Sequence, residues 1–433
     1  MLLYFKVRNY KSIRDWAVLD MEAAKLRDQT ENLIGFKHDA YLPVAAIYGK
    51  NGGGKTNIIR AMWLAVQFIC NAQRTQVEHS PVPVRPFALN DYSYQEPTAF
   101  EFGYVQNGIK YVYGFSATRE SIVSEYLKAW PNGREKKIFS RTEQHFDFPK
   151  NSEEKMKHLI GEAVAPNQLF FAIACVMNYK PCIEAMQWFR EKIVFSRDYT
   201  DLNYNLIEYR EDENMLQAIA SAAKAADVGI QDVRFEIDNE KVDIDNLEGV
   251  PAQVQDMVKA LRALREALRR NGNEAEIELN HGKLKTMTFH HGVGTNGESG
   301  LYQLMLSDES DGTRRIMSLA PAIERTLSNG GVLVVDELEE TMHVMLTEYI
   351  IERYQQKCRN LKGAQLIFTT HQTALLDQSL LRRDQVYFID KNSDDGASKL
   401  YSLADFNVRN DMDIQKAYML GKFGAVPSLE GGY

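Results

Sequence analysis

The sequence predicts an α/β protein: a mixed sheet carrying a glycine loop, an antiparallel β subdomain and an α-helical insert. Three observations predict it. A short apolar run at 44–48 (VAAIY) enters a glycine-rich loop, and helical spacing follows at Ile58, Ile59, Met62, Trp63, Val66 and Ile69. Residues 98–130 hold aromatic and β-branched stretches (TAFEFGYV, IKYVYGFSA, SIVSEYLKAW) separated by turn residues such as Asn107-Gly108. From residue 300 onward, apolar runs of strand length alternate with helical spacing.

In chain order, residues 2–8 (LLYFKVR) alternate apolar and polar and read as a half-buried strand. The meander from 98 runs to about 148. Residues 151–195 turn helical, with a break at Pro166 or Asn167. A short helix is expected over 213–226 and a strand over Val233–Val242. Residues 252–270 form an amphipathic helix, with Val254, Met257, Leu261, Leu264 and Leu268 on one face. Lys259, Arg262, Arg265, Arg269 and Arg270 lie on the other, a rod of about 28 Å. A basic face of this kind is ordinarily solvated, and it is also where nucleic acid or a partner would be held. GGVLVVDE, AQLIFTTH and QVYFID then read as buried strands, with a helix at Met345–Cys358, and 408–424 closes as a helix followed by a Gly-containing tail. Three segments result: 1–150 and 296–433 as the halves of one α/β body, and 151–295 as a mainly helical insert or lid.

Composition narrows the class. The chain has 433 residues, 44% apolar and 25% charged, an ordinary soluble balance. With 51 Lys+Arg against 59 Asp+Glu the net charge is -8, so no global basic field exists to hold nucleic acid. Four cysteines without a CxxC pair fit free thiols in a reducing cytoplasm. The start MLLYFKVRNYKSI is broken by charges and does not read as a signal peptide. The longest uncharged apolar run, Leu169–Met177, is half of what a bilayer needs, so no membrane partner is expected.

Residues 49–56, Gly49-Lys50-Asn51-Gly52-Gly53-Gly54-Lys55-Thr56, satisfy G-x-x-x-x-G-K-[ST] in full. A chance match somewhere in the chain has a probability of about one in a hundred. The glycines let backbone N–H groups turn inward around phosphate oxygens, and the helix that follows adds positive potential. Lys55 can reach the β- and γ-phosphates, and the Thr56 hydroxyl can ligate Mg²⁺. At the end of the 331–335 run stand Asp336 and Glu337. Beside such a loop, Asp336 would hold the metal and Glu337 would polarise the attacking water. His371 ends the next apolar run and is placed to meet a γ-phosphate. Ser310 and Gly312, at a helix start, offer a hydroxyl, N–H groups and a helix dipole to an anion. Two lesser candidates read as loops: Asp243-Ile244-Asp245, and His290-His291.

These residues in this order resemble the ABC-type ATPase heads of the SMC, RecF and OLD branches, and more finely the AAA15/AAA21-like, RloA-type abortive-infection and anti-phage ATPases. Segments 5–13 (FKVRNYKSI), 51–57 (NGGGKTN), 309–313 (ESDGT), 383–388 (RDQVYF) and the closing 417–427 carry the finer match, which covers nearly the whole chain and is weakest over 200–295. The resemblance implies two heads sandwiching two ATPs. Asn51, Gly52, Gly53, Gly54, Lys55, Thr56, Asn57, Asp336, Glu337 and His371 would come from one subunit, and Ser310 and Gly312 from the other. It implies ATP and Mg²⁺ as ligands, a homodimer or larger homo-oligomer, and a separate effector such as a Toprim or HNH nuclease in a cytoplasmic anti-phage system.

Departures from the pattern carry information. The signature reads Ser-Asp-Gly-Thr where transporters have Ser-Gly-Gly-Gln, and Met342-His343-Val344 replaces the usual Leu-His-Pro. Gln168 is a guess for the metal-contacting glutamine. The alternatives are a RecF-like ATPase on DNA ends or gaps, using the basic face at 259–270, and a scaffold that uses ATP to hold a shape around a partner.

Overall fold

The computed structural model describes all residues except 27–28, 76–79, 150–153, 197–205, 228, 243–254, 256–257, 264, 267–278, 296, 410–411 and 427–433. It contains two compact units. The first comprises Met1–Ser196, Arg325–Glu339 and Thr347–Tyr433, and the second Arg197–Glu324 and Glu340–Leu346.

The strands of the first unit are β1 (Leu2–Arg8), β2 (Ala17–Asp20), β3 (Ile34–Phe36), β4 (Asp39–Tyr41), β5 (Val44–Tyr48), β6 (Thr98–Gln106), β7 (Ile109–Ala117), β8 (Ile122–Trp130), β9 (Lys136–Thr142), β10 (His145–Asp147), β11 (Ile193–Phe195), β15 (Val332–Val335), β16 (Gln365–Thr370), β17 (Val386–Lys391) and β18 (Ser398–Ser402). The second unit holds β12 (Ile230–Val242), β13 (Leu279–Val293) and β14 (Ser299–Met305). Helices are α1 (Lys55–Thr75), α2 (Asp91–Gln95), α3 (Glu154–Ala163), α4 (Phe170–Val176), α5 (Lys180–Glu191), α6 (Glu213–Ala226), α7 (Asp311–Asn329), α8 (Val344–Gln355) and α9 (Ile414–Met419).

Two sheets organise the first unit. The antiparallel one runs β10-β9-β8-β7-β6-β1-β2. Its alternation puts Phe5, Val7, Phe100, Phe102, Tyr104, Tyr113 and Phe115 on one buried face. That face shares a core with α1, α4 and α5, where Trp188 stacks on Tyr104 at 4.7 Å. Leu169, the N-cap residue of α4, provides no side-chain cap. Glu125 of β8 does the capping instead, accepting from Phe170 N–H (2.8 Å) and Phe171 N–H (2.9 Å). A carboxylate suits a helix N-terminus, and Arg141 lies 3.5 Å from it, both side chains being fully buried.

The second sheet runs β11-β15-β16-β5-β17-β18, parallel except for β18. Its central strands are buried on both faces, which is why they read as unbroken apolar runs. Parallel register brings Tyr48, Val335 and Thr370 to one carboxyl edge, the edge at which ligands of open α/β sheets bind.

In the second unit α6 is capped by Asp212, whose side chain accepts from Met215 N–H (3.0 Å). β12, β13 and β14 then pair in that order as an antiparallel sheet. The division differs from the three expected segments. The helices expected at 151–195 are present as α3–α5 but belong to the first unit, and β13 and β14 were not foreseen. The buried face of β13 carries Thr286 and Thr288 beside Leu284, so its apolar alternation is weak. The closing helix spans Ile414–Met419, and the Gly-containing tail follows it. Among the described residues no helix is long and apolar enough to cross a membrane.

Candidate functional site

The site is built on the carboxyl edge of the parallel strands. β5 ends at Tyr48 and the loop follows at once. Backbone crowding dictates its glycines. A Cβ on Gly49 would lie 2.4 Å from the Ile389 carbonyl oxygen, and one on Gly54 would lie 2.6 Å from Ser398 Oγ at φ +114°. The loop is also tied down from outside. Ser398 Oγ donates to Gly53 O (2.7 Å) and is hydrogen-bonded to Ser12 Oγ (2.8 Å), which accepts from Asn57 Nδ2 (2.8 Å). Lys50 pairs with Asp390 at 3.1 Å.

Lys55 is buried, and its ammonium donates to Gly49 O (2.9 Å) and to His371 Nε2 (2.7 Å). Burial pushes the Lys55 pKa down, while Glu337, Asp336 and Glu339 pull it back up. His371 also sits below its ordinary pKa, through burial and then the neighbouring Lys55 charge. A neutral imidazole accepting at Nε2 carries its proton on Nδ1.

The two acids are set by β16. Thr369 Oγ1 donates to Asp336 Oδ1 (2.6 Å) and accepts from Glu337 N–H (2.7 Å). Thr56 Oγ1 donates to the same Asp336 oxygen at 3.3 Å, and Leu338 N–H reaches Thr369 O at 3.1 Å. Glu337 takes a left-handed backbone, φ 51°, which turns its carboxylate out of the strand into solvent. The backbone N–H of His371 donates to Glu339 Oε1.

Thus Lys55, Thr56, Asp336, Glu337 and His371, predicted from separate stretches of sequence, meet in one unit. Asn51 and Gly52 are exposed at the loop tip, where Gly52 has φ 73°. Ser310 and Gly312 belong to the second unit. There Ser310 Oγ accepts from Thr313 N–H (3.1 Å) and caps α7. The preceding Glu309 is buried, and Thr288 Oγ1 and His290 Nε2 both bond its carboxylate, the latter at 2.8 Å. His290 therefore lies in a strand with a carboxylate partner, not in the loop expected for it.

Gln168 closes a turn: its Oε1 accepts from Ala165 N–H (3.1 Å) and its carbonyl from Arg141 (2.9 Å). Of the expected basic face, Lys259, Arg262 and Arg265 each have a partner within the chain. Arg269, Arg270, Asp243 and Asp245 lie outside the described residues. Among the described residues no cluster of three His, Cys, Asp or Glu side chains could hold a metal ion. Reading the sequence missed Ser398 and Thr369 as site residues. Ser12 fell only within a habitual segment.

No curated protein matches the chain. Among solved structures, similar ones include an Smc head bound to the C-winged helix domain of ScpA, at 12% identity over 93% of this chain and 97% of that one, TM-score 0.39. The SMC head domain from Thermotoga maritima is 12% identical over 93% and 98%, TM-score 0.37. The recombination mediator protein RecF with ATP is 12% identical over 93% and 99%, TM-score 0.34. Among protein families, residues 44–377 match AAA_21, a span that contains the phosphate loop, the Ser310 turn, the acid pair and His371. The chain belongs to this family, described as an AAA domain, putative AbiEii toxin, type IV TA system.

Proposed function

We propose that the chain is an ATPase that hydrolyses ATP to ADP and phosphate at the loop of the first unit. One observation carries the reading. A loop lysine bonded to a strand-end histidine, and a loop threonine bonded to the first of two consecutive acids, lie together at one sheet edge, with Thr369 fixing both acids. The residues suit the ligands. A cradle closed to any side chain at Gly49 and Gly54 leaves its backbone N–H groups for phosphate oxygens. Thr56 and Asp336 present hard oxygen donors of the kind Mg²⁺ prefers, and Mg²⁺ bound there would neutralise charge on the β- and γ-phosphates.

In this mechanism Lys55 leaves His371 for the phosphates. Glu337, exposed at the strand end, takes the proton of the attacking water. His371 keeps its Nδ1 proton and offers that N–H as a hydrogen bond to an oxygen of the departing γ-phosphate. Ser310 and Gly312 would act in trans, from a second copy, as donors to that γ-phosphate. Neither subunit alone would then complete a site, and hydrolysis would report assembly. The biological reading is a sensor or scaffold in an anti-phage, abortive-infection system that controls a separate effector such as a nuclease. The family description, with its toxin–antitoxin reference, supports that setting. The RecF-like DNA reading gains no support from Lys259, Arg262 and Arg265, which are engaged within the chain.

The test is the solution mass of Glu337→Gln by light scattering, with and without Mg-ATP. A dimer or larger species formed only with ATP is expected. A protein that stays monomeric would remove the trans role of Ser310, and unchanged ATP affinity in Lys55→Ala would remove the loop assignment.

A further inference from the structure

We propose that Glu339 is a positioning residue for His371, acting on the backbone of that histidine. The activity readout below rests on the ATPase reading above, whereas the geometry and the spectroscopic readout do not.

The strand ladder that fixes β16 ends at Thr370, paired with Tyr48. His371 is the first residue beyond it, so its N–H is no longer held by the sheet. The group that takes it is the Glu339 carboxylate. Glu339 in turn follows a segment locked to β16 from the other side, through Glu337 N–H on Thr369 Oγ1 and Leu338 N–H on Thr369 O. The acid segment and the histidine are therefore two arms of one clamp, and Glu339 closes it. A charge-assisted bond from a backbone N–H is the strong form of this contact.

Among the described residues Glu339 makes no ion pair. Its second oxygen, Oε2, is buried without a hydrogen-bond partner, as is the hydroxyl of Tyr48. An unspent carboxylate oxygen is costly in a folded chain, and such costs collect where function needs them. The charge acts on the site as well. Glu339, with Glu337 and Asp336, raises the His371 pKa against burial and Lys55, which lower it. The same carboxylate thus sets where the imidazole stands and how readily it takes a proton.

The test uses the full chain with Glu339→Gln and Glu339→Ala. Glutamine keeps an acceptor for the His371 N–H and discards the charge; alanine discards both. NMR of selectively labelled protein should show the His371 amide proton far downfield in the wild type, less so in Glu339→Gln, and ordinary in Glu339→Ala. The imidazole titration should move to lower pH in both variants. ATP affinity should stay within about 2-fold, while kcat falls roughly 10- to 100-fold in Glu339→Ala and is largely rescued in Glu339→Gln. A wild-type amide shift in Glu339→Ala overturns the proposal. So does a Glu339→Gln enzyme as slow as Glu339→Ala, which would make charge and not placement the cause. So does a loss of ATP affinity that accounts for the rate. A wild-type protein that hydrolyses no ATP overturns the functional reading, and the amide and imidazole shifts still decide the placement.

Discussion

The phosphate loop of the first unit and the Ser310 turn of the second would both meet phosphate oxygens, and they are held in opposite ways. The loop is tied by residues from the whole length of the chain: Ser12 before it, Ser398 and Ile389 far after it, and His371 across it. The Ser310 turn is held by its own helix, through Thr313, and by the buried carboxylate of the preceding Glu309, which bonds Thr288 and His290 of β13. A site that must bind and hydrolyse gains from donors fixed before the ligand arrives. A turn that would reach into a second copy needs only its local cap, because the partner supplies the remaining constraint. If this contrast is right, equal substitutions in the two regions should have unequal and differently distributed effects.

The largest effect is expected from glycine. Gly49→Ala would drive a Cβ to 2.4 Å from the Ile389 carbonyl, a backbone atom that cannot swing away. The loop must shift, and ATP affinity, measured by a fluorescent nucleotide, should drop by about 100-fold or more. Gly312→Ala meets the Thr341 carbonyl at 2.9 Å. It should leave nucleotide affinity of the isolated chain unchanged and reduce only the hydrolysis that depends on assembly. Equal loss of affinity in both variants would erase the contrast.

Next is Ser310→Arg in mixed oligomers. A long cation at the start of α7 should silence the wild-type subunit across from it, so a mixture should hydrolyse less than its wild-type content alone. Full activity per wild-type subunit would place Ser310 in its own chain's site, or in none. A smaller effect is expected from Thr369→Val, which removes the donor to Asp336 and the acceptor of Glu337 N–H together. A buried bond lost with its partner left unsatisfied costs about 1–3 kcal/mol, so kcat should fall roughly 10-fold with the fold intact by circular dichroism. Thr313→Val loses only a local bond to Ser310 and should cost about 0.5–1.5 kcal/mol.

The same contrast explains what could be read in advance. Lys55, Thr56, Asp336, Glu337 and His371 announce themselves because each ends a strand or opens a helix, and chain direction in a parallel sheet sends all such ends to one edge. The helices at 154–191 were legible from spacing, yet not their allegiance to the first unit. That depends on Glu125, whose carboxylate caps α4 from a strand more than forty residues earlier in the chain. Ser398 was not legible at all. A serine on a strand beside the last parallel one carries no local signal, and its role exists only once β18 lies beside β17 and its hydroxyl meets Gly53. β13 was hidden for another reason: threonines, which pair well in sheets, fill positions where aliphatic alternation was sought.

The smallest effect concerns pH and is read at His371 of the first unit. His371 is held below its ordinary pKa of about 6.5 by burial and by Lys55. The unfolded chain therefore binds a proton at His371 before the folded chain does. Stability of the first unit should be fully present above about pH 6.5 and decline as pH falls from there toward the folded-state value. The imidazole is half-exposed, so the slope is modest. Melting temperatures of wild type and His371→Gln, taken every half unit from pH 8 to pH 5, should converge as pH falls, because glutamine has no proton to gain. Curves that run parallel would mean that His371 titrates alike in both states. Lys55 would then not be crowding it, and the 2.7 Å contact at the centre of the phosphate site would lose its electrostatic meaning.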